Sequence, residues 1–286
     1  MPEGPEVLLT SQMINHALAG KKITDIIILS GRYAKDPPKG YIDLDIANSY
    51  PMILNRVRSK GKFMWFSLRT CAGSRLYIWN TFGMTGSWSF NETKHSRLMI
   101  KFKKYSLFYN DSRNFGTFIF DNSKQKLRNK LKTIAPDFLK SNSVVIENIM
   151  KYDKPIVELL MDQKKIGSGI GNYLAAEILF QAKISPYRIG SSFTREELEE
   201  LLKCIIYIMK IAYMNNRVGY MLDMDNKAGD VERIDYHPNI ETDNVEFRFK
   251  VYGKKTDPDG NNVEIAKIVG TKNNKRSTYW VPAVQN

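Results

Sequence analysis

The opening residues Met1-Pro2-Glu3-Gly4-Pro5-Glu6 place a proline and two carboxylates where they could do covalent chemistry. Removal of Met1 would make Pro2 the amino terminus, and its nitrogen would become a secondary amine. An α-amino group titrates at about 7.7–8.0, so a useful fraction is unprotonated near neutral pH. Such a nitrogen can attack an electrophilic carbon and hold it as an iminium, as a Schiff-base lysine does. Glu3 and Glu6 lie close enough in sequence to act as proton-transfer partners. Val7, Leu8, Ser11, Ile14, Ala17 and Leu18 follow at helical spacing and stop at Gly20, so a buried helix would fix the amine in space. Proline near a helix start and glutamate in its first turn are also ordinary helix grammar.

The elements that must position this group divide the chain in two. Residues 22–120 read as short strands: Ile23–Leu29, Phe63–Leu68, Leu76–Trp79, Leu98–Phe102, Ser106–Tyr109 and Thr117–Phe120, separated by Gly, Asn, Ser and Lys clusters. That spacing predicts a β-sandwich or barrel. Residues 121–146 are polar and basic and read as a linker. A helical pattern follows, with Ile156–Met161, Asn172–Ala182, and a long helix through Tyr213 opened by the capping box Thr194/Glu197. Residues 215–245 read as a long loop, and strands return at Val245–Tyr252, Glu264–Val269 and Thr278–Val281.

The chain has 286 residues, with 43 Lys+Arg against 30 Asp+Glu, a formal charge of +13 that favours a polyanionic partner, nucleic acid before an acidic membrane surface. Its two cysteines, Cys71 and Cys204, argue against a disulfide framework and against a cysteine-based zinc site. The absence of a membrane-length apolar run and of signal-peptide features leads us to expect an intracellular, soluble protein.

Pro-Glu-x-Pro-Glu-Val after the initiator resembles the start of the Fpg/Nei (formamidopyrimidine-DNA glycosylase/endonuclease VIII) family, and four further blocks stand in that family's order. Ser59-Lys60-Gly61-Lys62-Phe63 is similar to its Gly-Lys-hydrophobic block, which implies that Lys62 holds the phosphate beside the lesion. Thr81-Phe82-Gly83-Met84-Thr85-Gly86-Ser87-Trp88 resembles its Leu-Gly-Met-Ser-Gly-Ser block, with Met84 on a glycine-flanked tip as a wedge for the gap an extruded nucleotide leaves. Asn110-Asp111-Ser112-Arg113-Asn114-Phe115-Gly116 looks like Asp-Pro-Arg-Arg-Phe-Gly, which implies that Arg113 meets the orphaned base and Phe115 enters the stack. Here Ser112 replaces the proline, weakening the rigid turn, and Asn114 replaces the second arginine, removing one phosphate contact. Residues 91–140 hold twelve Lys/Arg against four acids, which suits a surface tracking a phosphate backbone; a solvated basic face is the alternative. His95 is a further candidate phosphate contact.

The run from Met161 to Glu177 resembles the family's helix–two-turn–helix, with Gly167, Gly169 and Gly171 permitting two sharp turns. The resemblance and the following helix N-terminus together imply an anion site, with Asn172 donating to a phosphate and Glu177 bracing the motif. The tail from Val251 to Trp280 resembles the family's C-terminal finger, and Arg276 stands at its phosphate-binding arginine. The zinc-ligand positions fall at or near Asp259, Asn262, Val281 and Val284, so a four-cysteine site is excluded and the tail matches the zincless subgroup of vertebrate and giant-virus Nei-like enzymes. Packing by Ile265, Ile268, Tyr279 and Trp280 is expected to replace the metal.

The expectation is therefore an α+β protein: an N-terminal helix and β-sandwich domain at 1–124, a linker at 125–146, and a helical domain at 147–286 with the helix–two-turn–helix near 155–182 and a zincless β-hairpin finger near 246–286. The resemblance implies a monomeric bifunctional DNA glycosylase/AP lyase without cofactor or metal, using Pro2 as nucleophile with Glu3, Glu6 and Lys62, acting on DNA that carries oxidised bases or abasic sites. Two rivals are a non-catalytic nucleic-acid-binding protein and an enzyme using an N-terminal proline as a general base; the second leaves the charge and the later blocks unexplained.

Overall fold

The computed structural model describes residues 2–141, 143–225, 246–268 and 276–286. The chain divides into two compact units: Met1–Pro2, Glu6–Lys132 and Asn216–Asn239, and Glu3–Pro5, Thr133–Asn215 and Ile240–Asn286. Among the described residues no helix is long and apolar enough to cross a membrane.

In the first unit, helix α1 (Gly4–Leu18) buries Val7, Ile14 and Leu18 in the core of an eight-stranded sheet. Its strands are β1 (Lys22–Ile28), β2 (Met52–Lys60), β3 (Phe63–Arg69), β4 (Arg75–Thr81), β5 (Ser87–Ser89), β6 (Ser96–Phe102), β7 (Ser106–Asn110) and β8 (Thr117–Asp121). Their order is β5-β7-β6-β1-β2-β3-β4-β8. Strands β7 and β8 stand near opposite ends of that order, yet the Tyr109 and Phe118 rings meet edge to face at 4.8 Å, so the sheet folds over its own core as a sandwich. Trp88 plugs the middle, near Phe66 and Phe118, with its indole N–H donating to Asn80 at 3.0 Å.

Two local readings change here. Strand β2 was not anticipated, because Asn55, Arg56 and Arg58 interrupt its apolar run and a bulge lies between Leu54 and Arg56. Within the stretch read as linker, helix α2 (Lys124–Lys132) forms. Ser123 caps it, its hydroxyl accepting from the Lys126 N–H at 3.2 Å, and Leu127 is its buried residue.

In the second unit, α3 (Ile156–Met161), α4 (Asn172–Gln181) and residues 195–215 of α5 (Arg195–Asp225) pack around Leu160, Leu174, Ile178, Leu201 and Ile205. The capping box forms as expected: the Glu197 carboxylate accepts from the Thr194 N–H at 2.8 Å, and the Thr194 hydroxyl accepts from the Glu197 N–H at 3.3 Å. Helix α5 continues through 215–225, where a loop was expected; 226–245, the rest of that loop, lies outside the described residues.

The finger is an antiparallel pair, β9 (Glu264–Ile268) and β10 (Arg276–Trp280), in register Ala266↔Thr278. Ala266 and Thr278 are fully buried, whereas Ile265 is 58% exposed, so Ile265 does not hold the hairpin as expected. Tyr279 packs at the Ala176–Val251–Val281 cluster and Trp280 meets Tyr187 at 5.4 Å. The Ile268 side chain lies outside the described residues. Val281 and Val284, at or near two of the positions aligned with zinc ligands, join that apolar cluster. Residues 246–252 form no strand, and the N–H groups of 250–252 donate to the Glu177 carboxylate instead.

Candidate active site

Glu3 is fully buried, and its position follows from one helix end. Oε2 accepts from the Gly171 N–H at 2.6 Å and the Leu174 N–H at 3.3 Å, and Oε1 accepts from the Tyr173 N–H at 3.1 Å. The first N–H groups of a helix lack intrahelical partners and carry partial positive charge, so a carboxylate is stabilised there. Glu3 thus takes three of the backbone N–H groups at the anion site expected here. The Gly4 N–H donates to the Gly169 carbonyl at 2.8 Å, and a Cβ on Gly4 would lie 2.8 Å from Gly169 Cα, so the third residue of the opening motif must be glycine.

The three loop glycines serve different ends. Gly169 takes a positive φ of 114°, while Gly167 gives room to the Phe138 ring, which would sit 2.2 Å from an added Cβ. Gly171 offers its N–H to Glu3. Gln163, which carried no role in the sequence reading, stitches the loop: its Oε1 accepts from the Gly169 N–H at 2.9 Å and its Nε2 donates to the Met161 and Ile170 carbonyls at 2.8 Å. Asn172 opens α4 with Oδ1 buried and, among the described residues, without a hydrogen-bond partner. Glu177, also buried, turns its carboxylate to the N–H groups of Lys250, Val251 and Tyr252 at 2.8–3.1 Å. Burial pushes the Tyr252 phenol above its ordinary range, and the charge of Glu3 adds to that.

The candidate DNA contacts of the first unit gather at one end of the sheet. The register pairs Phe63 with Thr81 and Thr81 with Thr117. Lys62, in the β2–β3 turn, therefore shares that end with the loops carrying Met84 and Phe115. Met84 is 41% and Phe115 51% exposed, unusual for large apolar side chains, and the Arg113 guanidinium lies 5.0 Å from the centre of the Phe115 ring. Asn114 adopts φ 59°, a left-handed conformation asparagine tolerates better than arginine would, which gives the departure from the family pattern a backbone reason.

Asp111 organises this corner, and the sequence reading assigned it nothing. It is 1% exposed, and its carboxylate accepts from the Thr85 hydroxyl at 2.5 Å, the Gly116 N–H at 2.7 Å and the Arg113 N–H at 3.2 Å. His95 is half-buried, and its carbonyl accepts from the Asp111 N–H at 2.9 Å. Pro2 and Glu6 are half-buried. Met1 and the Arg276 side chain lie outside the described residues; the Arg276 backbone pairs with Ile268.

Three sequence families match the chain: the formamidopyrimidine-DNA glycosylase N-terminal domain over residues 1–118, its H2TH domain over 117–221, and its C-terminal domain over 238–286. Formamidopyrimidine-DNA glycosylase of Listeria monocytogenes is 26% identical over 299 residues, covering all of both chains. Among solved structures, Lactococcus lactis Fpg with abasic-site DNA superposes with TM-score 0.74 at 23% identity over 99% of each chain. MutM with DNA containing carbocyclic 8-oxo-G superposes with TM-score 0.76 at 24% identity over the full length of both. At that identity the solved structures speak for a shared fold, while the sequence families speak for descent. The chain belongs to the formamidopyrimidine-DNA glycosylase (Fpg/MutM) family of DNA-repair glycosylases.

Proposed function

We propose that the chain is a bifunctional DNA glycosylase/AP lyase that removes oxidised bases (pyrimidines and hydantoins, with formamidopyrimidines) during base excision repair. With Met1 removed, the Pro2 nitrogen attacks C1′ of the damaged nucleotide's deoxyribose. The glycosidic electron pair leaves with the base, and Glu3 relays the proton the base requires. The nitrogen gives up its proton and its electron pair opens the sugar ring, breaking C1′–O4′ as O4′ is protonated; the resulting iminium acidifies the C2′ proton, whose loss expels the 3′ phosphate, and a second elimination expels the 5′ phosphate. Glu6 positions water or polarises the amine. Lys62, His95, Asn172 and Arg276 hold phosphates, while Met84, Arg113 and Phe115 fill the gap left by the extruded nucleotide.

The observation that supports this most is the burial of Glu3 as an acceptor of three backbone N–H groups, one peptide bond from Pro2. Both its oxygens accept backbone N–H groups, which fixes the carboxylate in place, and a fixed carboxylate next to a terminal amine is what proton transfer at an iminium needs. Apolar exposure at Met84 and Phe115 beside an arginine is what a void-filling wedge requires. The test is borohydride reduction during turnover of an oxidised-pyrimidine duplex by protein verified to begin at Pro2. A covalent protein–DNA adduct is expected, and none with Met1 retained. No adduct from the processed protein would overturn the mechanism.

A further inference from the structure

Helix α2 carries Lys124, Lys126, Arg128, Lys130 and Lys132 and no acidic residue. Its composition works against its own stability. Lys124 and Lys126 sit in the first turn, where the helix dipole disfavours cations. Lys124/Arg128, Arg128/Lys132 and Lys126/Lys130 are like-charge pairs at i,i+4, each destabilising a helix on its own. Little nearby relieves this: Asp121 pairs with Lys126 at 3.2 Å, and Gln125 and Asn129 bond to each other at 2.9 Å. Lys124, Arg128 and Lys132 are exposed and, among the described residues, have no ion-pair partner. Spaced four residues apart, they form one axial row with a cation about every 6 Å.

The helix also has a direction. It starts just after Asp121, which pairs with Tyr77 at the far end of β4 and β8 from Thr81 and Thr117. It ends where Lys60 Nζ donates to the Leu131 carbonyl at 2.9 Å, two residues from Lys62. The row therefore runs back along the sheet toward the end that carries Lys62, Met84 and Phe115.

We propose that Lys124, Arg128 and Lys132 form a phosphate-binding rail that engages the DNA backbone flanking the lesion, beyond the nucleotides held by the candidate site. This rests on the glycosylase reading for the identity of the polyanion. The unrelieved cationic row is the complement of a strand whose phosphates repeat without interruption, and it carries no group that reads base sequence.

The test measures the salt dependence of binding to a lesion duplex long enough to leave flanking DNA, between about 50 and 200 mM salt. Changing Lys124, Arg128 and Lys132 together to Gln should flatten the slope of log Kd against log salt by about 0.9 for each phosphate that is no longer neutralised, so by about 2.7 in all. The charge-retaining set Lys124→Arg, Arg128→Lys and Lys132→Arg should keep the original slope. Removing as many charges elsewhere, with Lys21→Gln, Lys22→Gln and Lys203→Gln, should leave it unchanged too. An unaltered slope in the first set, or an equal flattening in the last, overturns the rail. If the unaltered protein binds this duplex but never cleaves it, the glycosylase reading fails, while the slopes still decide the rail.

Discussion

The Asp111 carboxylate accepts the Thr85 hydroxyl at 2.5 Å, and with that bond two loops 26 residues apart become one body. Thr85 follows Met84, and the same carboxylate holds the Arg113 and Gly116 N–H groups on either side of Phe115. Gly83 closes the joint, since a Cβ there would lie 2.7 Å from the Phe115 carbonyl carbon. Thr85→Val should cost roughly 1.5–3 kcal/mol, the range for a hydrogen bond to a charged group. In denaturant titrations, Thr85→Val and Asp111→Asn should be clearly non-additive. Additive costs would show that the two loops are independent.

Glu3→Gln puts an amide NH2 group against at least one of the helix N–H donors. A cost of roughly 1–3 kcal/mol is expected from the unsatisfied donor. Under the proposed mechanism, base release suffers more than strand cleavage at a pre-formed abasic site, where no base needs a proton. Equal losses on the two substrates would assign Glu3 a purely structural part.

Glu177→Ala strips a buried acceptor from the N–H groups of residues 250–252. We expect a loss of about 3 kcal/mol or more, because several buried donors are stranded at once. Limited proteolysis should then cut near residue 250 first. A wild-type cleavage pattern would contradict this.

Val281 is fully buried against Ala176 and Val251, and the Gln285 side chain locks the turn after it, accepting from the Val281 N–H at 2.7 Å and donating to the Ile184 carbonyl at 2.8 Å. Excess chelator should leave the melting temperature unchanged, whereas Val281→Ala should lower stability by about 1–2 kcal/mol. A chelator-induced drop would mean that a metal supports the finger.

The Glu197 carboxyl is held below the ordinary glutamate range, first by the Arg188 guanidinium and then by the Thr194 N–H. Its folded-state value is the lower one, so its stabilisation is full above the unfolded value and fades as pH falls through the folded one. Glu197→Gln should therefore destabilise the protein at neutral pH, with the gap narrowing in acid below about pH 4. The pair is partly exposed, so the effect is small and salt-sensitive. A gap that is constant with pH would rule out the ionic contribution.

What could be read from the chain beforehand was whatever is local. Apolar spacing announced α1, the Thr194/Glu197 box announced the start of α5, and the glycines around Met84 announced an exposed tip. Long-range partners left no such trace. Phe138 dictates Gly167 from 29 residues away, and Glu3 caps a helix that begins 169 residues later. Helix α2 was hidden because one buried leucine makes no apolar stripe. Residues 246–252 looked like a strand, but Glu177 takes the amides of 250–252 that a strand would have offered to a neighbour.

Under the proposed mechanism, the grip of α4 on Glu3 ties reactivity to folding. A helical unit that has not closed cannot hold this carboxylate, so a half-made protein would carry a terminal amine without its proton partner. The carboxylate would then act as an interlock, arming the chain only after segments some 170 residues apart have found each other.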